Sequence, residues 1–517
     1  MGYNWEPARD IDFARVSKTT SSSRFTAMFR ILWIITIAVS FPLALGVGEV
    51  RAQEDSALGA ALALEKSLID AISRAEPSVV AIARIRKEIP GEVLNLEFRP
   101  DPFGRRVLAA DETQPTDPDF IPNEFATGVV VDPRGLILTT YHVLGDDSEY
   151  YITTHRREVH RARIKAADPR SDLAILAVDA VNLTPIEFGE ADRLRKGQIV
   201  LALGNPYAIA RDGEASAAWG IVANLARKAP VLPNAAGSAD KSTLHHFGTL
   251  IQTDAKLNLG TSGGPLLDLR GRMVGLVTSI PAAAGYEQAA GYAIPVDETF
   301  RRVVDTLKQG REVEYGFLGI QPGNLMPVEE AKGLRGMRVE RVQPGPGSPA
   351  VRGGLRPGDI ITAVNGKPVH DADGLVLAVG RLPVDSLARL SVLREGRNLQ
   401  LEVRLGKYPI RGKKIVTTRP DPWRGMSVDY TTVAESDTGL ADRTYYEDGV
   451  LVTDVEEGTP AWNAGMRAGE VISHVGAAAV HTPKDFRAAT AERPGPVQLR
   501  VFNDSGNLQR IVPPPRL

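Results

Sequence analysis

From Ser56 to Arg74 apolar residues recur at Leu58, Leu62, Ile69 and Ile72, a helical spacing that Pro77 then closes. Beyond this point the pattern changes. Short runs of aliphatic and β-branched residues follow, from Val79 to Ile85, Thr127 to Val131, Leu136 to Thr140, Leu173 to Val178 and Ile199 to Leu203, separated by Gly, Pro and Asp turns. Such spacing predicts a barrel or sandwich. The stretch from Lys87 to Asn123, rich in Pro, Asp and charge, reads as a long surface loop rather than a strand pair. Val296 to Leu307 reads as a helix ending this β-rich part, and Lys308 to Glu314 as a polar linker.

The remainder repeats. Gly347-Ser348-Pro349-Ala350, Gly354 and Gly358-Asp359-Ile360-Ile361 recur 111 residues later as Gly458-Thr459-Pro460-Ala461, Gly465 and Gly469-Glu470-Val471-Ile472. Ser348 or Thr459 is placed to cap a short helix, Pro349 or Pro460 suits its first turn, and Gly354 or Gly465 ends it. An acidic residue then leads into a buried strand. The predicted segments are residues 1–52 (signal peptide or signal anchor), 53–76 (helical linker), 77–308 (first domain), and the repeated modules 315–407 and 420–515.

Composition narrows the partners. A formal net charge of −2 supplies no basic footprint for nucleic acid, and the absence of cysteine excludes disulfides, thiolate metal sites and a cysteine nucleophile. Arg24 and Arg30 precede the nearly uninterrupted apolar run Ile31 to Gly48, which reads as an export signal. Val50-Arg51-Ala52 resembles a cleavage site with a poor middle residue, so residues 31–48 also fit an uncleaved membrane anchor. No phosphate loop, dinucleotide fingerprint or metal-ligand cluster is found, and no cofactor or metal is expected.

The strongest chemical signal is Gly260-Thr261-Ser262-Gly263-Gly264-Pro265, where glycines let the backbone turn tightly around one hydroxyl and present N–H groups together. Hydrolysis through serine needs such donors for an oxyanion, here Gly260 and Ser262 flanking Thr261. A Gly-rich β-turn with a locally bonded serine is the competing reading. Serine also needs a base. Of eight histidines, only His142 follows an apolar strand, Leu136 to Thr140, whereas His155, His160, His370 and His481 lie in polar settings and His245, His246 and His474 lack any such motif. Asp172, in Asp168-Pro169-Arg170-Ser171-Asp172 before the strand at Leu173, is the natural partner for the histidine, although an aspartate there is commonly a turn residue. The chain order His142, Asp172, Ser262 fits a double barrel with base and acid on one barrel and nucleophile on the next.

With these residues in place, residues 77 to 515 resemble an HtrA/Deg-type protease. The motifs in order are Phe125-Ala126-Thr127-Gly128-Val129-Val130-Val131, Asp172-Leu173-Ala174, Gly204-Asn205-Pro206, Gln252-Thr253-Asp254-Ala255 and Gly291-Tyr292-Ala293-Ile294-Pro295. The resemblance implies a mainly β fold, a chymotrypsin-like double β-barrel followed by two PDZ-like α+β domains. It implies an exported, ATP-independent serine endopeptidase acting on unfolded or damaged proteins, assembled as a trimer or multiple of trimers. A non-catalytic chaperone or scaffold holding the same polypeptides is the alternative, and a complete triad argues against it.

Two departures stand out: the family commonly has asparagine where Thr261 and Tyr141 stand. A β-branched residue is less tolerant of unusual backbone angles, so Thr261 bears on the resting geometry of the oxyanion loop. In the first module, Tyr315-Gly316-Phe317-Leu318-Gly319-Ile320 resembles the PDZ loop that receives a chain terminus on its N–H groups, with Phe317, Leu318, Gly319 and Ile320 as the carboxylate cradle. The second module carries Gly425-Met426-Ser427-Val428 there, without a clear second glycine, and Ala477 where the repeat calls for one. It is expected to bind peptides poorly or serve in assembly. Finally, apolar Leu257 and Leu259, with no acid between Lys256 and Ser262, predict cleavage after small or medium aliphatic residues.

Overall fold

The computed structural model describes residues 44–86, 98–100, 106–108, 122, 124–205, 214–229, 243–278, 291–410, 413–434, 447–491, 493–503 and 506–515. The expected export segment lies outside these residues except for Ala44 to Gly48, which open the first helix. Among the described residues, no helix is long and apolar enough to cross a membrane. The chain divides into two units, residues 1–64 and 65–517. Described residues of the first form the N-terminal part of helix α1 (Ala44–Ala75), where Leu58 and Leu62 are exposed. The second unit holds the rest of α1 and all that follows.

In that unit the last turns of α1 bury Ala71 and Ala75 in the main hydrophobic core, while Ile69 faces out. Strand β1 (Val79–Arg86) follows. Within the stretch expected to be loop alone, β2 (Phe98–Pro100) pairs antiparallel with β3 (Arg106–Leu108), so a short ladder forms despite the polar composition. The first barrel is completed by β4 (Glu124–Asp132), β5 (Leu136–Thr140), β6 (Ser148–Thr153), β7 (Val159–Asp168) and β8 (Leu173–Val178). Its order is β7-β6-β1-β4-β5-β8, and β7 pairs with β8 to close it. All six residues of β8 are buried, which explains why this strand reads as a continuous apolar run rather than an alternating one.

A second closed barrel has the order β10-β11-β14-β13-β12-β9. It comprises β9 (Ile199–Gly204), β10 (Ser216–Arg227), β11 (Leu250–Thr253), β12 (Pro265–Leu267), β13 (Met273–Thr278) and β14 (Gly291–Pro295). Helix α2 (Glu298–Lys308), capped by the Asp297 carboxylate on the Phe300 N–H, buries Phe300, Val303, Val304 and Leu307 in the core shared with both barrels.

The two modules share one topology. In the first, strands Ile320–Asn324, Met337–Val342, Ile360–Val364, Leu387–Arg394 and Arg397–Arg404 follow in ladder order, and Met426–Tyr430, Val450–Val455, Val471–Val475, Val497–Asn503 and Gly506–Val512 do the same in the second. Two of the repeat glycines take the expected place, Gly354 and Gly465 adopting left-handed φ of 73° and 85° just past their short helices. Thr459 caps as expected, accepting from the Trp462 N–H. Ser348 does not. Its hydroxyl is buried and meets no partner among the described residues.

Candidate active site

Strand register does the first part of the assembly. Thr140 lies opposite Leu173 in the β5–β8 ladder, so the residues just beyond each strand, His142 and Asp172, emerge at the same end. The Asp172 carboxylate accepts from the His142 backbone N–H at 3.0 Å, and its oxygens lie 3.1 and 2.9 Å from Nδ1. A carboxylate only accepts, so Nδ1 carries the hydrogen and Nε2 is the atom left to take a proton. Thr278 of β13 adds a third donor to the carboxylate at 3.2 Å. Asp172 holds φ at 56°, a left-handed angle that aspartate tolerates better than most side chains, and its carbonyl accepts from the Tyr141 N–H.

Electrostatics follow from this contact. Burial works to raise the Asp172 pKa, yet the facing imidazole and its hydrogen bonds outweigh it and hold the carboxyl below its ordinary range. Burial likewise works to lower that of His142, and the Asp172 charge prevails and raises it. The His142 side chain keeps 40% of its surface exposed, against 11% for Asp172. A reachable base backed by a buried acid results.

Ser262 is supplied by the second barrel, in the turn between β11 and β12. Gly260 and Gly263 take the left-handed angles of 93° and 84°, while Thr261 keeps a negative φ that a β-branched residue accepts. The Thr261 hydroxyl donates to the Asn258 carbonyl. Gly263 exchanges no side chain for space: a Cβ there would come within 2.3 Å of the Thr139 hydroxyl on the strand that carries His142. The Gly263 N–H donates to Val277, the neighbour of Thr278, so β13 ties the serine turn to the Asp172 carboxylate. The Gly260 N–H meets no acceptor among the described residues.

Several residues of this site are given no role of their own by the sequence, even where, as at Thr127, they lie within a motif. Thr127, in β4, and Thr278 are two of them. His245 is a third: it is buried, its Nε2 donates to the Ser171 carbonyl at 2.9 Å, and its Nδ1 lies 2.9 Å from the Thr249 hydroxyl. Burial, partly opposed by the Asp172 charge, lowers its pKa. By contrast His155, His370 and His481 are exposed, in keeping with their polar settings. Around Asp172, the Asp168 carboxylate accepts from the Ser171 N–H and hydroxyl and from the hydroxyl of Tyr315 in the first module. Arg170, wholly buried, stacks 3.5 Å from the centre of the Tyr408 ring. Tyr141 reaches the Lys413 carbonyl between the modules, where Ile415–Val416 extend the first barrel's sheet along β7.

The module loops differ in detail. In the first, Gly319 has φ of 76°, its carbonyl accepts from the Gln343 N–H, and the N–H groups of Leu318 and Gly319 meet no acceptor among the described residues. Phe317 packs edge-on to Tyr408 with centroids 6.0 Å apart. In the second, strand pairing aligns Gly425, not Val428, with Gly319: Met426 begins the strand as Ile320 does, and Gly425 has φ of 83°. Trp423-Arg424-Gly425-Met426 is therefore the equivalent loop. There Trp423 and Met426 exchange two backbone hydrogen bonds, and the Arg424 guanidinium is spent on the carbonyls of Val512, Arg493 and Gly495. The turn glycine is likewise displaced by one, with Gly476 at φ of 62° before Ala477.

Residues 126–276 match the trypsin-like peptidase domain family, and residues 316–405 and 451–501 each match a PDZ domain family. A protein of Pseudomonas fluorescens named "Probable periplasmic serine endoprotease DegP-like" is 30% identical over 80% of this chain and 86% of its own. One of the same name from Chlamydia trachomatis is 31% identical over 75% of this chain and 73% of its own. A solved structure titled "HtrA-type protease AlgW with decapeptide" is 27% identical, covering 69% of this chain and 99% of that one with a TM-score of 0.48. The barrel pair, the two modules and this level of shared sequence make the chain a member of the HtrA/DegP-like family of serine endoproteases.

Proposed function

We propose that Ser262, His142 and Asp172 form the catalytic triad of an exported, ATP-independent endopeptidase that cuts unfolded or damaged polypeptides. The observation that carries the reading is the His142–Asp172 contact, which leaves Nε2, 3.5 Å from the Thr140 hydroxyl, as the proton acceptor. In this mechanism Ser262 Oγ attacks the substrate carbonyl as His142 Nε2 takes its proton. The N–H groups of Gly260 and Ser262, on either side of Thr261, receive the oxyanion, and His142 then protonates the leaving amine. Water, activated by the same imidazole, releases the acyl group. Asp172 stays ionised and stabilises the imidazolium.

Location and delivery complete the proposal. The relatives' names place them in the periplasm, which supports export of this chain, with residues 31–48 as signal or inner-membrane anchor. Phe317 to Ile320 receive the C-terminus of a substrate or activating polypeptide, and the chain works as a trimer or multiple of trimers. The decisive experiment incubates the purified protein with unfolded casein beside Ser262→Ala. Turnover in wild type that vanishes in the variant is expected, and equal turnover would sink the triad. Peptide capture is tested by calorimetry on the Ser262→Ala protein with a peptide ending in Val and its amide. Loss of the carboxylate is expected to weaken binding roughly tenfold or more, and equal affinity would remove the cradle from the proposal.

A further inference from the structure

Thr127 is wholly buried in β4, the strand of the first barrel that faces the serine turn of the second. All of its polar atoms cross to other elements. The hydroxyl lies 2.7 Å from the Gly260 carbonyl and 2.8 Å from the Asn205 N–H. Its backbone N–H donates to the Ser262 carbonyl at 2.9 Å, and its carbonyl accepts from the Thr139 hydroxyl at 2.9 Å.

The chemistry of these partners fixes the hydroxyl. A carbonyl only accepts and an amide N–H only donates, so the Thr127 hydrogen points to Gly260 while a lone pair receives Asn205. The two carbonyls on either side of Thr261 are thereby held by one residue of the opposite barrel. Gly260 is the position that needs holding. Without a side chain it rotates freely between backbone states, and its left-handed φ of 93° is one that only glycine adopts at little cost. Its crowded side is closed as well, since a Cβ there would lie 2.4 Å from the Asn205 carbonyl.

We propose that Thr127 is a positioning residue of the oxyanion site: its hydroxyl fixes the Gly260 peptide so that the Gly260 and Ser262 N–H groups are already aimed where charge develops. This rests on the triad and oxyanion reading given above. Preorganised donors lower the barrier because they need no reorganisation when the charge appears. Losing the hydroxyl frees the Gly260 carbonyl and lets the adjoining peptides rotate. Ground-state binding of substrate does not depend on that alignment, so the loss falls on kcat rather than KM.

The test uses the full-length protein as wild type, Thr127→Val, Thr127→Ser and Ser262→Ala. Steady-state kinetics on a quenched peptide are measured beside affinity for a peptidyl trifluoromethyl ketone, whose hemiketal oxyanion occupies the same donors. Thr127→Val, matched in shape but without the hydroxyl, is expected to lose about 10²-fold in kcat with KM within about threefold. Its ketone affinity falls in step with kcat/KM, and Thr127→Ser returns kcat to within about threefold of wild type. Should the valine variant fail to fold, Thr127→Cys keeps the size and donates only weakly, and must still lower kcat. Wild-type kcat in the folded valine or cysteine variant overturns the assignment, as does a loss in Thr127→Val that Thr127→Ser does not restore. Turnover retained in Ser262→Ala would instead overturn the triad itself, so the two failures are told apart.

Discussion

The two barrels contribute to the site in different currencies. The first supplies side-chain charge: a carboxylate with 11% of its surface exposed, receiving a backbone N–H, an imidazole and a threonine hydroxyl, set behind a ring that solvent reaches. The second supplies backbone geometry, namely two left-handed glycines around a serine and an N–H kept free of described acceptors. Both are closed six-stranded barrels. What separates them is where a turn leaves the ladder, with an aspartate at positive φ in one case and glycines in the other. The first half should therefore fail when a charge is removed without changing shape, and the second when shape is changed without touching a charge.

The largest expected effect tests the first half. Asp172→Asn keeps the outline of the side chain but loses the acceptor that holds Nδ1–H and the charge that stabilises the imidazolium, so kcat should fall by about 10⁴-fold. Circular dichroism should remain that of the wild type. A loss below tenfold would mean that Asp172 is a turn residue and no more. Next comes Gly260→Ala, which alters no charge. An added Cβ would lie 2.4 Å from the Asn205 carbonyl and 2.6 Å from the Phe125 ring, at a φ that costs a non-glycine residue roughly 1–2 kcal/mol. Displacing one oxyanion donor should reduce kcat by about 10²–10³-fold, read by single-turnover acylation with a chromogenic ester. Wild-type acylation would remove Gly260 from the oxyanion site.

The same contrast explains what could be read without coordinates. The pairing of His142 with Asp172 was legible because their residue types, flanking strands and chain order restrict the chemistry. Thr127, Thr278 and His245 were not. Each is an ordinary residue whose meaning lies in partners 133, 106 and 74 positions away, and no local pattern encodes such contacts. The double barrel and the repeat were legible through strand spacing and recurring glycines. Loop register in the second module was not, because the constant offset of 111 residues fails ahead of Gly347: Gly425 follows Gly319 by 106. The hairpin β2–β3 hid inside a polar stretch because so short a ladder needs only a few residues of β character.

A smaller effect should stay within the second barrel. Leu257 packs against Gly291, where a Cβ would meet its Cδ1 at 2.4 Å, and belongs to the edge of that barrel's core, whereas Leu259 is 66% exposed. Leu257 is thus the better candidate for the pocket wall. Leu257→Ala should widen the pocket and shift peptide-library cleavage toward larger apolar residues, changing the preference by about 10–200-fold. Since the first barrel is untouched, the pH midpoint of kcat/KM should not move. Unchanged selectivity, or cleavage dominated by Lys or Arg in the wild type, would remove Leu257 from the pocket.

The pH dependence of the first barrel is the smallest effect and has a definite sign. Burial pushes the His142 pKa down, but the Asp172 charge and hydrogen bond push it up by more, to a value above the ordinary 6.5. A general base must be neutral, so kcat/KM should rise with pH through a midpoint above 6.5 and lose about tenfold for each unit below it. In Asp172→Asn the raising influence is gone while burial remains, so the midpoint of the residual activity should move down. Stability obeys the same linkage. A raised histidine pKa contributes stability that is complete below the unfolded value and is lost as pH rises through the folded one. The lowered Asp172 pKa contributes stability present above its ordinary 3.8 and lost as pH falls through the folded value. The pair therefore helps most between the ordinary values of 3.8 and 6.5. Melting temperatures of Ser262→Ala with and without Asp172→Asn, which exclude self-digestion, should differ most in that window and converge as pH rises through the His142 midpoint. A difference that stays constant across it would mean the two side chains touch without exchanging charge, and the contrast between the barrels would lose its electrostatic half.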